Sequence, residues 1–208
     1  MHVFLPAFFY ELLNEHVYEK IIDQLIDRDF AVSQEFSPSE VLKPLRKQLK
    51  HFIKENKLRQ AGIGQGADFM FQGAIRNDQI LWLDEHGGDS FQRAFFTEVN
   101  SFTQYLNRTC FTGIKQSEFH FAHFKKGAFF KRHLDCFAND DSRKFSVVTY
   151  LNPKWDETKG GELVIFWKGE EVRVLPAFGT TVIFRSNTIE HEVKPALKSR
   201  YSITGWLK

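Results

Sequence analysis

Cysteine is scarce in this chain of 208 residues, which contains only Cys110 and Cys136. Two cysteines cannot build a disulfide framework or a cysteine-rich zinc site, and such low usage is typical of a cytoplasmic protein. Long apolar runs are absent too, since the longest stretch without a charged residue, 174–184, has eleven residues. A membrane-spanning helix needs about 20. The amino-terminal segment lacks a basic region and a signal cleavage site, so we expect no secretory signal.

Charge of one sign is not in excess either. The chain has 28 Lys and Arg against 26 Asp and Glu, a net charge of +2. This balance argues against association with nucleic acid or acidic membranes, and we expect neither as a partner. The composition is that of a globular protein. Phenylalanine is abundant, with 23 residues, and predicts a tightly filled, β-rich interior.

The first 115 residues show the period of amphipathic helices. We predict three helices there, over 8–29, 37–57 and 90–108, and a short strand over 30–36. Ser37, Pro38 and Glu40 have the pattern of an N-cap, a first helical residue and a capping-box glutamate. The glycine-rich segment 61–66 lacks the Gly-Lys-Ser/Thr of a phosphate-binding loop, so we expect a mobile loop. A turn and a strand should follow over 74–83.

After residue 118 the period changes to that of strands. We predict eight of them, over 119–124, 128–133, 145–151, 162–167, 171–175, 180–184, 190–193 and 200–207. So many short strands predict a mainly β fold, a jelly roll packed against about three helices from the amino-terminal half. The chain is then one domain, 1–208, in which 1–115 supports a β core formed by 116–208.

His133 and Asp135 are candidate metal ligands. Side chains two residues apart on a strand point to the same face, so both can reach one ion. His191, in the sequence IEHEV, is the best-placed third ligand. Two histidines and one carboxylate form the facial triad of non-haem Fe(II) oxygenases. Zinc hydrolases use similar ligands, so the triad alone leaves the metal open.

Arg200 lies nine residues beyond His191 and shares one strand face with Ser202, Thr204 and Trp206. An arginine that points into a β core is costly unless its charge meets an anion. A guanidinium is well suited to bind a carboxylate through two hydrogen bonds. The alternative is an edge-strand arginine that faces water.

These residues occur in the sequences IRNDQILWLDE, KRHLD, YLNPKWDETKGGEL, HEVKP and RYSITGW, in that order. The pattern resembles the 2-oxoglutarate/Fe(II)-dependent dioxygenases of the prolyl 4-hydroxylase superfamily, above all the oxygen-sensing prolyl hydroxylase branch and its bacterial relatives. The resemblance extends from about Ile75 to the carboxyl terminus. It implies a double-stranded β-helix, with 116–208 as the catalytic core and a substrate loop within 1–115.

The resemblance implies a metal site and a cosubstrate site. The Fe(II) ligands would be His133, Asp135 and His191. Arg200 would bind the distal carboxylate of 2-oxoglutarate, with hydrogen bonds from Tyr150 and Thr204. With O2, this chemistry hydroxylates a substrate and releases succinate and CO2, and ascorbate serves as a reductant.

The resemblance also implies substrate contacts from Arg76, Asp78 and Arg143. An exposed turn with a local ion pair is the alternative for the first two. Many relatives have a tyrosine before the metal-binding strand, where this chain has His123 and Phe124. A hydrogen bond from that phenol would be lost or replaced by His123.

The implied substrate is a prolyl residue of a protein, and the bacterial relatives suggest a translation factor as its target. Two alternatives stay open. One is a hydroxylase of a small molecule or free amino acid, and the other is a non-catalytic sensor of 2-oxoglutarate or metal. The sequence does not indicate the oligomeric state.

Overall fold

The computed structural model describes residues 7–62, 73–136 and 142–208, and side chains from residue 14 onward. The helices in these ranges are α1 (Ala7–Arg28), α2 (Ser39–Lys54) and α3 (Ser90–Cys110). The strands are β1 (Phe30–Ser33), β2 (Arg59–Gln60), β3 (Gln79–Trp82), β4 (Ser117–Phe124), β5 (Phe130–His133), β6 (Phe145–Tyr150), β7 (Leu163–Trp167), β8 (Glu170–Val174), β9 (Thr181–Arg185), β10 (Glu190–Val193) and β11 (Arg200–Leu207). None of the described helices combines the length and hydropathy that a membrane span requires.

The strands form two antiparallel sheets. The large sheet has seven strands in the order β1-β9-β6-β11-β4-β3-β2, and the small sheet has four in the order β5-β10-β7-β8. Side chains of both sheets meet in one apolar cluster, including Val148 and Phe184 from the large sheet and Leu163 and Ile165 from the small one. The predicted jelly roll with flanking helices is therefore confirmed. Strands β1, β2 and β3, which precede residue 116, belong to the large sheet.

A second apolar cluster joins the helices to the large sheet. It contains Ile21 of α1, Leu45 of α2 and Phe102 of α3, packed with Phe121 of β4 and Ile203 of β11. Because successive strand residues point to opposite faces, the neighbours of Phe121 and Ile203 point toward the small sheet. This alternation decides which side chains enter the space between the sheets.

The structure differs from the sequence prediction at the start of α2. We predicted Ser37 as the N-cap and Pro38 as the first helical residue, but the helix begins at Ser39. Pro38 is the N-cap, with extended backbone (φ −62°, ψ 145°) and no side-chain cap. The eight strands predicted after residue 118 all have counterparts, whereas β2 was not predicted. Most of the glycine-rich segment, 63–66, lies outside the described residues.

Asn152 joins the end of β6 to the start of β11. Its buried side chain donates from Nδ2 to the carbonyl oxygens of Pro176 (2.8 Å) and Tyr201 (3.0 Å). Its Oδ1 accepts from the backbone N–H of Tyr201 (2.7 Å). The asparagine of the YLN sequence thus anchors the residue that follows Arg200.

We expect Asn152→Ala to lower the free energy of unfolding by about 2 kcal/mol or more, because it leaves buried backbone groups without partners. Urea denaturation followed by circular dichroism measures this. Asn187→Ala, which changes an exposed asparagine, should alter stability by less than about 0.5 kcal/mol. Equal effects of the two substitutions would contradict the assigned role of Asn152.

Candidate functional site

His133, Asp135 and His191 meet at one end of the small sheet, and we call them the triad. His133 ends β5 and lies opposite His191 of β10 in the antiparallel pair. The ligand atoms of the three residues lie within 4.8 Å of one another. Asp135 Oδ1 is 3.4 Å from His133 Nε2, and its Oδ2 is 3.8 Å from His191 Nε2.

Asp135 reaches the triad from a bend and not from strand β5. We predicted that His133 and Asp135 share one strand face, but β5 ends at His133 and Asp135 lies in the following bend. A hydrogen bond from the backbone N–H of Cys136 to the carbonyl of Ser186 (3.2 Å) holds this bend. The bend still brings the carboxylate to both imidazoles.

Both imidazoles have their Nε2 atoms available for a metal. His133 Nδ1 lies 2.6 Å from the carbonyl oxygen of Lys131, and His191 Nδ1 lies 3.2 Å from that of Ile189. Because a carbonyl can only accept, Nδ1 donates and Nε2 carries the lone pair. His133 Nε2 is buried and has no hydrogen-bond partner among the described residues. This donor set fits Fe(II) with positions open for cosubstrate and O2.

Asp135 is held in its ionised form. Burial by itself would raise its pKa, but His191, His133 and a hydroxyl group together lower the pKa well below its usual range. The hydroxyl is that of Ser146, which donates to Asp135 Oδ2 at 2.6 Å and lies 2.8 Å from Ser186 Oγ. Such outer contacts orient a ligating carboxylate and strengthen metal binding.

The triad opens into a cavity of about 470 Å³, mouth included, between the two sheets. Arg200 and Thr204 of β11 line it together with an apolar wall from Val148, Leu163 and Val193. The triad and Arg200, which can bind charged groups of a ligand, therefore face apolar side chains that exclude water.

Arg200 is buried, with 1% of its surface exposed. Its guanidinium carbon lies 4.8 Å from the ring centroids of Phe124 and Tyr150. Its Nε and the Tyr150 hydroxyl are both buried without a hydrogen-bond partner in the described part of the chain. Burial lowers the pKa of Arg200, opposed by Tyr150 and Asp78, yet a guanidinium stays charged at neutral pH. The water-facing alternative is wrong, and the site fits a carboxylate.

Thr204 and Tyr150 are placed differently around Arg200. Thr204 lines the cavity, and its Oγ1 lies 3.2 Å from Ser202 Oγ. Tyr150 is fully buried against the guanidinium and is not among the residues that line the cavity. Hydrogen bonds from Thr204 and Tyr150 to 2-oxoglutarate stay predictions.

The two glycines of the GGEL sequence make room for Arg200. Gly161 has a φ of +76°, and a Cβ there would lie 2.8 Å from Ala196 Cβ and 3.4 Å from Arg200 Cδ. At Gly160 (φ +62°) a Cβ would lie 2.7 Å from the carbonyl oxygen of Pro195. Any side chain at these positions would collide with the segment before β11.

Arg76 and Asp78 form a buried ion pair on the cavity wall. Arg76 donates from Nε and Nη2 to the two carboxylate oxygens of Asp78, at 2.8 and 2.7 Å. Asp78 is fully buried, and the Arg76 guanidinium lies 4.3 Å from the ring centroid of Phe130. That ring stacks on His133 at 3.5 Å. The exposed-turn alternative is wrong, whereas a contact with substrate stays a prediction.

Arg143 contacts the backbone of the triad residue Asp135. It donates from Nη1 to the backbone carbonyl of Asp135 (3.0 Å) and from Nη2 to Glu118 (3.2 Å). Its guanidinium carbon also lies 3.6 Å from the centroid of the Trp206 ring. Its predicted contact with substrate stays a prediction, and the structure adds a positioning role toward Asp135.

His123 does not replace the missing phenol. It lies on the helix-facing side of β4, where its Nε2 is 3.0 Å from Ser199 Oγ, whereas Phe124 lines the cavity. The histidine on the cavity side is His120, which our sequence analysis missed. The alternation in EFHFAHF was a usable signal, because His120 shares its parity with Phe124 rather than with His123.

Comparisons with known proteins agree with this geometry. Residues 119–208 match the 2OG-Fe(II) oxygenase superfamily. The chain is similar to the crystal structure of a Pseudomonas putida prolyl-4-hydroxylase, with 32% identity and a TM-score of 0.83 over 92% of this chain and 98% of that one. It is also similar to a prolyl hydroxylase from Trichoplax adhaerens, solved with a hypoxia inducible factor peptide, with 26% identity and a TM-score of 0.80 over 98% and 94%.

Among curated proteins, the chain is 28% identical over 148 residues to prolyl hydroxylase EGLN3 of Mus musculus. That match covers 64% of this chain and 58% of the relative's length. The fold and site define a 2-oxoglutarate-dependent dioxygenase. The chain belongs to the 2OG-Fe(II) oxygenase superfamily and, within it, to the prolyl hydroxylase branch, whose chemistry uses Fe(II), 2-oxoglutarate and O2.

We expect Ser146→Ala to weaken metal binding about tenfold, because the substitution removes the hydroxyl that orients Asp135. Titration of the metal-free protein with Mn(II), followed by electron paramagnetic resonance, measures this affinity. Thr149→Val is the matched control, since Thr149 lies on the same strand but pairs with Thr181, away from the triad. A Ser146→Ala protein with unchanged affinity would show that the hydroxyl does not support the metal site.

We expect the metal-free protein to lose stability as the pH falls below about 6.5, the pKa of an unfolded histidine. Burial lowers the pKa of His120 to about 3 and those of His123 and His191 to about 4. The unfolded chain therefore binds more protons than the folded one in this window. Each histidine costs up to about 1.4 kcal/mol per pH unit until its folded pKa is reached.

Urea denaturation at pH 7, 6 and 5 measures this dependence. His123→Asn should make the decline of stability with falling pH shallower, because one of the three groups is removed. Stability that stays constant between pH 7 and 5 would contradict the assigned burial of these imidazoles.

Proposed function

We propose that this protein hydroxylates a prolyl residue of a protein substrate. One oxygen atom of O2 enters a C–H bond of the substrate, and the other enters succinate as 2-oxoglutarate loses CO2. The observation that supports this most directly is that one cavity holds the triad and the buried Arg200, whose Nε has no hydrogen-bond partner among the described residues. The similarity to prolyl hydroxylases supports the choice of substrate.

The charges of the site fit this cosubstrate. Fe(II) would be held by the triad and would supply O2 activation. Its two positive charges and that of Arg200 would be balanced by Asp135 and by the two carboxylates of 2-oxoglutarate. A net charge of zero suits a cavity with apolar walls, since an unbalanced buried charge is costly.

The protein groups around the cosubstrate orient it. Arg200 binds the distal carboxylate, which turns the keto acid end toward the triad. Val148, Leu163 and Val193 cover the methylene groups and exclude water. The ordering of both ends before O2 arrives is the contribution that the protein makes to the rate.

The mouth of the cavity fits a chain rather than a fully enclosed small molecule. Trp82 packs against the cavity residues His120 and Trp206, and 52% of its surface is exposed. Leu134, between two triad residues, is 41% exposed. Exposed apolar side chains beside a reactive site are typical of binding surfaces for a partner. We propose a translation factor in the cytoplasm as the target, with ascorbate as the reductant.

Incubation of the Fe(II)-loaded protein with 2-oxoglutarate, ascorbate, isotopically labelled O2 and host lysate tests this function. We expect mass spectrometry to find labelled oxygen on a proline of one or a few proteins. His191→Ala should abolish both this mark and succinate formation, because it removes a metal ligand. His16→Ala, which changes an exposed histidine, should retain both.

Succinate formation without a marked protein would contradict a protein substrate and favour a small-molecule hydroxylase. Metal binding without any succinate formation would contradict the enzymatic function and favour a sensor. A mark that persists in the His191→Ala protein would show that the triad is not its source.

A further inference from the structure

His120 is a polar residue inside the cavity that the triad and Arg200 do not account for. It lies on β4, opposite Thr204 of β11 on one side and Trp82 of β3 on the other. It lines the cavity, and only 3% of its surface is exposed. Its place in the sheet is therefore fixed by two neighbouring strands.

The His120 ring is enclosed by two indoles. Its centroid lies 5.1 Å from that of Trp82 and 5.6 Å from that of Trp206. Its Nδ1 is buried and has no hydrogen-bond partner among the described residues. Burial, followed by the charge of Arg76, lowers the pKa of His120 to about 3. The ring is therefore neutral at physiological pH and offers one donor and one acceptor.

His120 lies beside the exposed Trp82, and we call this side of the cavity the entrance. The charged groups that act on its ring are Arg76, Asp78, Arg143 and Asp135. The Trp82 ring packs against that of His120 at 5.1 Å between centroids and is about half exposed. A ligand that enters past Trp82 therefore meets His120, which lines the same cavity as the triad.

We propose that His120 is a specificity-determining residue that donates a hydrogen bond to a main-chain carbonyl oxygen beside the target prolyl residue. This inference rests on the proposed function. A prolyl residue has no N–H, so its main chain can be recognised only through carbonyl oxygens, which need a donor. His120 in its Nδ1–H tautomer supplies that donor.

Among the described residues, Trp206 is a second neutral donor beside His120. Arg76 is paired with Asp78 through two hydrogen bonds. Trp206 Nε1 is buried without a partner among the described residues and can only donate. His120 and Trp206 together therefore present two neutral donors, which suit carbonyl oxygens and leave the charge balance of the site unchanged.

The test measures binding of N-acetyl-L-proline methylamide, which carries a prolyl ring and both flanking carbonyls. The protein is loaded with Mn(II) and 2-oxoglutarate without O2, and ligand-observed nuclear magnetic resonance gives the affinity. We expect His120→Leu to weaken binding about five- to tenfold, the value of one buried neutral hydrogen bond. His120→Asn, whose amide can replace Nδ1–H, should stay within about threefold of wild type.

Two controls separate recognition from general damage. The affinity for 2-oxoglutarate, measured by calorimetry on the Mn(II)-loaded protein, should be unchanged in both His120 variants. His123→Asn alters a buried, neutral histidine on the opposite face of β4 and should leave binding of the proline amide unchanged. If His120→Leu does not fold, His120→Met gives the same comparison.

Equal binding of the proline amide by wild type and the apolar variant would overturn the inference. So would a parallel loss of 2-oxoglutarate, or no binding of the amide by the wild-type complex. Failure of the proposed function is seen separately, as the absence of a hydroxylated protein in the lysate experiment.

Discussion

The burial of charge between two sheets is the constraint on which this structure depends. Arg200 comes from the large sheet, while His133 and His191 come from the small one, and Asp135 lies in the bend after β5. None of these groups is cheap to bury alone. Their burial in one cavity is tolerated because their charges balance those of a metal ion and a dicarboxylate. The fold therefore has to hold the two sheets at a separation that suits both ligands.

Several residues around the site maintain this separation of the sheets and the position of Asp135, and they do not take part in the chemistry themselves. Asn152 ties β6 to the residue after Arg200, and Gly161 lets the segment before β11 approach the guanidinium. Ser146 and Arg143 hold the side chain and the backbone of Asp135. These residues would keep their importance whatever substrate enters, because they act through the triad and Arg200.

The entrance of the cavity, around His120, differs chemically from the part around Arg200. Around Arg200, the cavity has apolar walls and a buried guanidinium whose Nε has no hydrogen-bond partner among the described residues, as a carboxylate requires. On the His120 side, Arg76 is paired with Asp78, and His120 and Trp206 are two neutral rings among the described residues.

Local periodicity determined, from sequence alone, the strands after residue 118 and the facing of Arg200 and Thr204. The residues of the triad were named from the sequence too, but with Asp135 expected on the same strand as His133. The tertiary structure alone decided the order of the strands, the burial of the Arg76–Asp78 pair, the bend that carries Asp135, and the place of His120 between two indoles. The physical reason is that alternation along a strand specifies which residues share a face. What covers that face depends on contacts between residues far apart in the chain, and these form only when the two sheets and the helices pack together.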